Sequence, residues 1–124
     1  MTNSPLFHSE RDGDVLFVTF GRNVPTFSDS QLLGEFQALV AAHRKPGFAH
    51  VVIDFGQMPY FGSGMLEAIL LAGNAIHPAG GKLALCNVSS VSQEGLQVSH
   101  FNTLWPVCKD RSEALRVVRG EQSV

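Results

Sequence analysis

From Val15 to Phe20 every position is apolar or β-branched (VLFVTF), so the segment has no polar face. A strand of this kind is expected to be covered on both sides. His50–Phe55 (HVVIDF) is mostly apolar and predicts a second buried strand, and Lys82–Cys86 (KLALC) predicts a third strand. Between them the period changes. Leu32, Leu33, Phe36, Leu39 and Val40 recur at helical spacing, so Ser30 to His43 is expected to form an amphipathic helix. Ser28 and Gln31 stand at capping-box spacing before it, and Lys45-Pro46-Gly47 stops it. Gly64 to Ile76 is apolar on most of its surface and predicts a largely covered helix. Asn87 to Gln93 begins a short helix that runs to about Val98.

The chain's ends are weaker. Met1 to Glu10 reads as a loose start with a short edge strand at Leu6–His8. Thr103 to Val107 predicts a short strand, and Pro106, which lacks an N–H, assigns it to an edge or a strand end. Asp110 and Glu113 form a second capping box, followed by Leu115, Val117 and Val118 as the apolar side of a last helix. The order β, β, α, β, α, β, α, β, α implies parallel strands with right-handed crossovers. The expectation is an α/β fold: a mixed, mostly parallel sheet with helices mainly on one face. A single domain is expected over residues 1–124, with its core between about 10 and 118.

Composition narrows the function. The net charge is −2 and charged residues make up 16% of the chain, so no basic excess is present to hold a phosphate backbone, and nucleic acid is not expected as a partner. Cys86 and Cys108 sit among apolar residues with no CxxC and no histidine at ligand spacing. They read as two buried thiols in a reducing compartment, with no metal or other cofactor. The charged stretch Glu10, Arg11, Asp12, Asp14 is unlike a signal peptide. No apolar run approaches the ~18 residues of a membrane span. The expected location is the cytoplasm.

The candidate chemistry lies between the second and third buried strands. Val51–Phe55 ends in a polar turn, and Gly62-Ser63-Gly64 then opens the apolar helix. A hydroxyl between two residues without side chains, at a strand-to-helix turn, is either a helix cap or a group presented to a partner. A hydrolase is not supported. A nucleophile elbow needs glycine two residues to either side of the serine, and those positions are Phe61 and Met65. No GxxxxGK[ST] occurs, and the five histidines (His8, His43, His50, His77, His100) are scattered.

In this order and at these positions the chain resembles the STAS domain, and more narrowly the bacterial anti-sigma factor antagonists. The family pattern is an apolar strand ending in Asp, then Asp-Ser-Ser-Gly opening an apolar helix, then a Gly-Gly-x-Leu-x-Leu strand. Val51–Phe55 with Asp54 matches the first piece, and Gly80-Gly81-Lys82-Leu83-Ala84-Leu85 matches the last. Phe101, Leu104, Trp105 and Pro106 fall where the family strand leads to its final helix. The resemblance implies that Ser63 is the phosphorylated serine. It further implies that the partner is an anti-sigma factor acting as a serine kinase, that a phosphatase restores the serine, and that the protein is not an enzyme. The implied partner surface is Met58, Tyr60, Phe61, Gly62, Ser63, Gly64 and Glu67 with Asn23 and Val24 beside it. The sequence departs from the pattern at Phe61 and Gly62, which replace Asp and Ser, and at Gly21-Arg22-Asn23-Val24, which lacks its acid. An unmodified STAS scaffold, or a subunit of a signalling or lipid-transport assembly, is the alternative. A small-ligand or nucleotide binder is the third reading.

Overall fold

The structure, a computed structural model, describes residues 7–20, 50–57, 63–76, 81–98 and 105–121, together with 31, 34, 35, 37 and 38. Five strands form one sheet in the order β1-β2-β3-β4-β5. They are β1 (Phe7–Asp12), β2 (Val15–Phe20), β3 (His50–Asp54), β4 (Leu83–Cys86) and β5 (Val107–Cys108). β1 runs antiparallel to β2, and the other three pairs are parallel. The helices whose bounds fall within the described residues are α1 (Ser63–Ile76), α2 (Ser90–Val98) and α3 (Arg111–Val118). Gln31, Gly34, Glu35, Gln37 and Ala38 are helical as the sequence predicts. The apolar positions of that helix, Leu32, Leu33, Phe36, Leu39 and Val40, lie outside the described residues.

The two-faced strands divide the core into two clusters. On one face, Leu16, Val18 and Phe20 of β2 and Val51 and Ile53 of β3 pack with Met65, Ala68, Ile69, Ala72 and Ile76 of α1. Phe20 and Phe55 stack there with ring centroids 5.8 Å apart. On the other face, Val15, Phe17, Val52, Ala84, Cys86 and Cys108 pack with Ala114, Val117 and Val118 of α3. The expected one-sided helix layer therefore has a counterpart: α3 covers the face opposite α1, as apolar residues on both sides of β2 and β3 require.

Several boundaries differ from expectation. The expected edge strand at Leu6–His8 is present as β1 but runs further, through Glu10 and Arg11 to Asp12, while residues 1–6 lie outside the described residues. Charged residues suit an edge strand, where one side of the ladder faces solvent. Gly13 (φ 58°) and Asp14 close the hairpin onto Val15, with glycine first, as a type II′ turn demands. The second helix starts at Ser90 rather than Asn87, because Asn87 holds the left-handed φ of 56°. Ser89 Oγ accepts from the Ser92 N–H at 3.2 Å and caps it. β5 begins after Pro106, whose carbonyl accepts from Leu85 N–H at 2.9 Å, while Thr103 and Leu104 of the expected strand lie outside the described residues.

α3 is closed at both ends, the first of them as its sequence predicts. Asp110 Oδ1 accepts from Glu113 N–H at 2.9 Å. Glu113 Oε1 reaches back to Lys109 N–H at 3.0 Å, one residue beyond the usual capping-box partner. At the far end Glu121 N–H donates to Arg116 O and Gly120 N–H to Val117 O, with Gly120 at φ 78°. This is a Schellman closure, and it places glycine where a left-handed residue is needed.

Candidate functional site

β2, β3, β4 and β5 run in one direction, so their connections to the helices all leave from one edge of the sheet. Ser63 is the first residue of α1 and stands at this edge. The first turn of a helix carries N–H groups without intrahelical partners and a partial positive charge. The first turn of α1 contains no acidic residue of its own. An anion arriving there meets donors and a favourable dipole rather than a carboxylate. Glu67, one turn further on, is exposed. Burial of Met65, Ala68 and Ile69 anchors this end of the helix to the sheet. Of the residues predicted from sequence, the structure thus places Ser63, Gly64 and Glu67 together on α1. Met58, Tyr60, Phe61, Gly62, Asn23 and Val24 lie outside the described residues.

A polar network lies at the same edge, built on Asp54, the last residue of β3. The residue is buried. Its Oδ1 accepts from Gly56 N–H at 2.8 Å and from Asn87 Nδ2 at 3.0 Å. Its Oδ2 accepts from Arg111 Nε at 2.7 Å. Burial alone would raise the Asp54 pKa. The hydrogen bonds from Asn87, Arg111 and Gly56, with the guanidinium charge, outweigh it and hold the carboxyl below its usual value. Arg111 comes from the first position of α3. It also donates from Nη2 to Thr19 Oγ1, stands 3.6 Å from Glu10 Oε1, and lies over the Phe17 ring at 5.1 Å. One guanidinium so ties β1, β2 and β3 to α3, while Asn87 ties in the end of β4.

Asp54 was legible in the sequence as the acidic residue that ends an apolar strand. Arg111, Thr19 and Asn87 were not. Arg111 is 57 residues from Asp54 and 92 from Thr19 in the chain, and no local pattern marks pairs at such distances. The register gives the reason for their meeting: Thr19, Asp54, Cys86 and Cys108 are paired in one row across β2 to β5.

The two cysteines are free and buried in that row. Burial pushes the Cys86 thiol up to about 12 and the Cys108 thiol up to about 11, so neither is a nucleophile at neutral pH. Among the described residues no group of three or more His, Cys, Asp or Glu could hold a metal ion. Among the same residues no helix is long and apolar enough to cross a membrane.

Comparison with known proteins adds a family to this geometry. The STAS domain family model matches residues 8–114. A stretch of 80 residues is 30% identical to BtrV of Bordetella bronchiseptica, assigned as an anti-sigma factor antagonist; it covers 64% of this chain and 69% of BtrV. The anti-sigma-factor antagonist (STAS) domain protein of Planctomyces limnophilus superposes with a TM-score of 0.71 at 25% identity, over 91% of this chain and 97% of that one. The anti-sigma factor antagonist SpoIIAA in its unphosphorylated form superposes with a TM-score of 0.74 at 14% identity, over 94% and 99% of the two chains. Its phosphorylated form, from Bacillus, gives 0.62 at 12% identity, over 90% and 98%. At these identities the SpoIIAA likeness concerns the fold.

Proposed function

Because this chain belongs to the STAS domain family, we propose that it acts by protein binding as an anti-sigma factor antagonist, switched by phosphorylation of Ser63. The observation that carries this reading is the position of Ser63. It opens α1 at the edge where the strands end, in a first turn without a carboxylate. The partner in this reading is an anti-sigma factor that is also a serine kinase. It binds the Ser63 end through Ser63, Gly64 and Glu67, with Met58, Tyr60, Phe61, Gly62, Asn23 and Val24 completing the surface. The γ-phosphoryl of ATP passes to Ser63 Oγ, and a phosphatase later hydrolyses the ester. The whole chain works as one domain in the cytoplasm.

The physics of such a switch is local. A phosphoserine adds about −1.5 to −2 charge and three acceptor oxygens. The α1 N–H groups and dipole tolerate that charge, so the domain keeps its fold. SpoIIAA, which shares this fold, is known in both forms. At the interface the phosphate displaces packed contacts and must be desolvated. Each ~1.4 kcal/mol so lost weakens the complex about tenfold.

A second reading, a STAS scaffold that is never modified, is favoured by Phe61 and Gly62, which stand where the family pattern has Asp and Ser. One experiment separates the two. The protein is isolated from its own cells in growth and under stress, and the Ser63 peptide is mapped for phosphate. Phosphate that changes between the two states supports the switch, and its absence in both supports the scaffold. Binding of Ser63→Asp and Ser63→Ala to the partner recovered with the wild type checks the mechanism. The Asp variant is expected to lose affinity and the Ala variant to keep it. Equal affinity of Ser63→Asp and wild type would sink the switch.

A further inference from the structure

At the end of the sheet opposite Ser63, a cavity of about 320 Å³ lies between the C-terminal half of α1, the start of β4, the residues before β5 and the end of α3. Its walls are apolar: Leu70 and Gly73 of α1, Trp105 and Pro106, and Val117 of α3. The volume is at the lower end of small-molecule sites, which run from about 300 Å³ upward. Leu70 is 38% exposed, a large apolar side chain left open to solvent at this cavity. The indole of Trp105 lies so close to α1 that a Cβ on Gly73 would stand 2.6 Å from its ring. Glycine at 73 therefore lets the ring settle onto the helix, where the indole lines the cavity.

Among the described residues two polar side chains also line it, Asn74 on α1 and Lys82 at the start of β4. Both are exposed. No carboxylate among the described residues forms an ion pair with Lys82. An apolar, indole-lined cleft bordered by one ammonium and one amide is complementary to a particular kind of molecule. It takes a flat apolar body on Trp105 and Leu70, and an acid group that accepts hydrogen bonds from Lys82 and Asn74. We propose that this cleft binds a small aromatic carboxylate. The proposal is independent of the Ser63 reading, since it concerns the other end of the domain.

Trp105 is the single tryptophan of the chain, so one indole N–H resonance reports on the cleft. The test is a titration of the ¹⁵N-labelled full chain with cinnamate, and in parallel with cinnamamide, its uncharged isostere. Cinnamate is expected to move the Trp105 indole signal and the Leu70, Gly73 and Asn74 amides saturably, leaving Gly56 and Glu67 in place. Cinnamamide, and cinnamate added to Lys82→Met, are expected to bind about threefold more weakly or worse, as befits the loss of a solvent-exposed ion pair. Leu70→Glu is expected to abolish the shifts. Both substituted residues are exposed, so the variants test the cleft and not the fold. The proposal is overturned if the cleft signals stay in place up to about 10 mM cinnamate, a weakness below any specific site. It is equally overturned if cinnamamide or the Lys82→Met variant binds as tightly as cinnamate binds the wild type.

Discussion

Arg111 and Asp54 meet at 2.7 Å across the edge of the sheet, one from the first turn of α3 and the other from the last position of β3. The Arg111 side chain is 36% exposed and that of Asp54 10%. The pair is therefore neither a solvated surface contact nor a fully desolvated one. Its effect comes from connection: removing the guanidinium leaves a mostly buried carboxylate with the Gly56 and Asn87 donors alone, and takes the partner from Thr19.

Arg111→Ala is therefore expected to lower the unfolding free energy by about 1–2 kcal/mol, below the range for a fully buried pair because of its exposure. Arg111→Lys should recover less than half of that, since an ammonium cannot reach Asp54 and Thr19 with a planar fork. Urea unfolding of the three proteins decides it. Equal stability of all three would show that the network adds no free energy.

The Asp54 carboxyl has a lower pKa folded than unfolded, where the value is 3.8. Its contribution is thus present above the unfolded value and is lost as pH falls through 3.8 toward the folded one. Wild type should lose stability on acidification more steeply than Asp54→Asn, which has no such proton to bind. Parallel curves for the two proteins would assign the acid loss to other groups.

His50 gives a second pH dependence, at the opposite end of β3. Its Nδ1 accepts from Lys82 N–H at 3.0 Å, a bond only the neutral ring can make. Burial lowers its pKa below 6.5, against the attraction of Asp14, which stands 3.7 Å from Nε2; Lys82 and Arg119 lower it further. The unfolded chain then binds this proton more readily, so stability rises with pH and is lost as pH falls through 6.5. His50→Asn retains an acceptor without a titration. Its stability should be flatter than that of wild type between about pH 5 and 8, and a matching slope would contradict the assignment.

Gly73→Ala is expected to destabilise, although alanine is the better helix former by about 1 kcal/mol. The added Cβ would collide with the Trp105 ring, and forced repacking costs about 1–3 kcal/mol. Trp105→Phe removes the colliding part of the ring. In the double variant the alanine should cost less than it does alone, and thermal unfolding of the four proteins measures this coupling. Additive losses would mean that the contact is not the cause.

Cys86 and Cys108 are expected to resist a thiol reagent in the native protein at neutral pH, because both are buried and both thiols titrate far above it. Labelling should follow the rate of unfolding as urea is raised. Rapid modification of the native protein would contradict their placement on the α3 face.

The sequence was most legible where one local rule acted alone. The runs Val15–Phe20, Val51–Ile53 and Leu83–Cys86 are apolar on both faces, which suits short strands covered on both sides. Asp110 and Glu113 announced the start of α3 because a cap is decided within four residues. Ser63 was legible as a serine at a strand-to-helix turn, and its family likeness came from short motifs in a fixed order. The edge strand β1 was expected, but its extent was underestimated because Glu10, Arg11 and Asp12 are poor strand formers by themselves. Pairing with β2 and the edge position overrode that preference. The start of α2 was misplaced because nothing local shows that Asn87 turns left-handed to reach Asp54.

By itself, then, the sequence determined the α/β order, the buried strands of the sheet, the N-terminal cap of α3 and the placement of a serine before an apolar helix. These depend on neighbours within a turn or a pleat, where spacing alone carries the physics. Only the tertiary structure decided that α3 lies opposite α1, that Arg111 closes on Asp54 and Thr19, and that Trp105 rests on Gly73. Each of these joins residues far apart in the chain. Their free energy arises from burial and directed hydrogen bonds that exist only once the strands have taken their register.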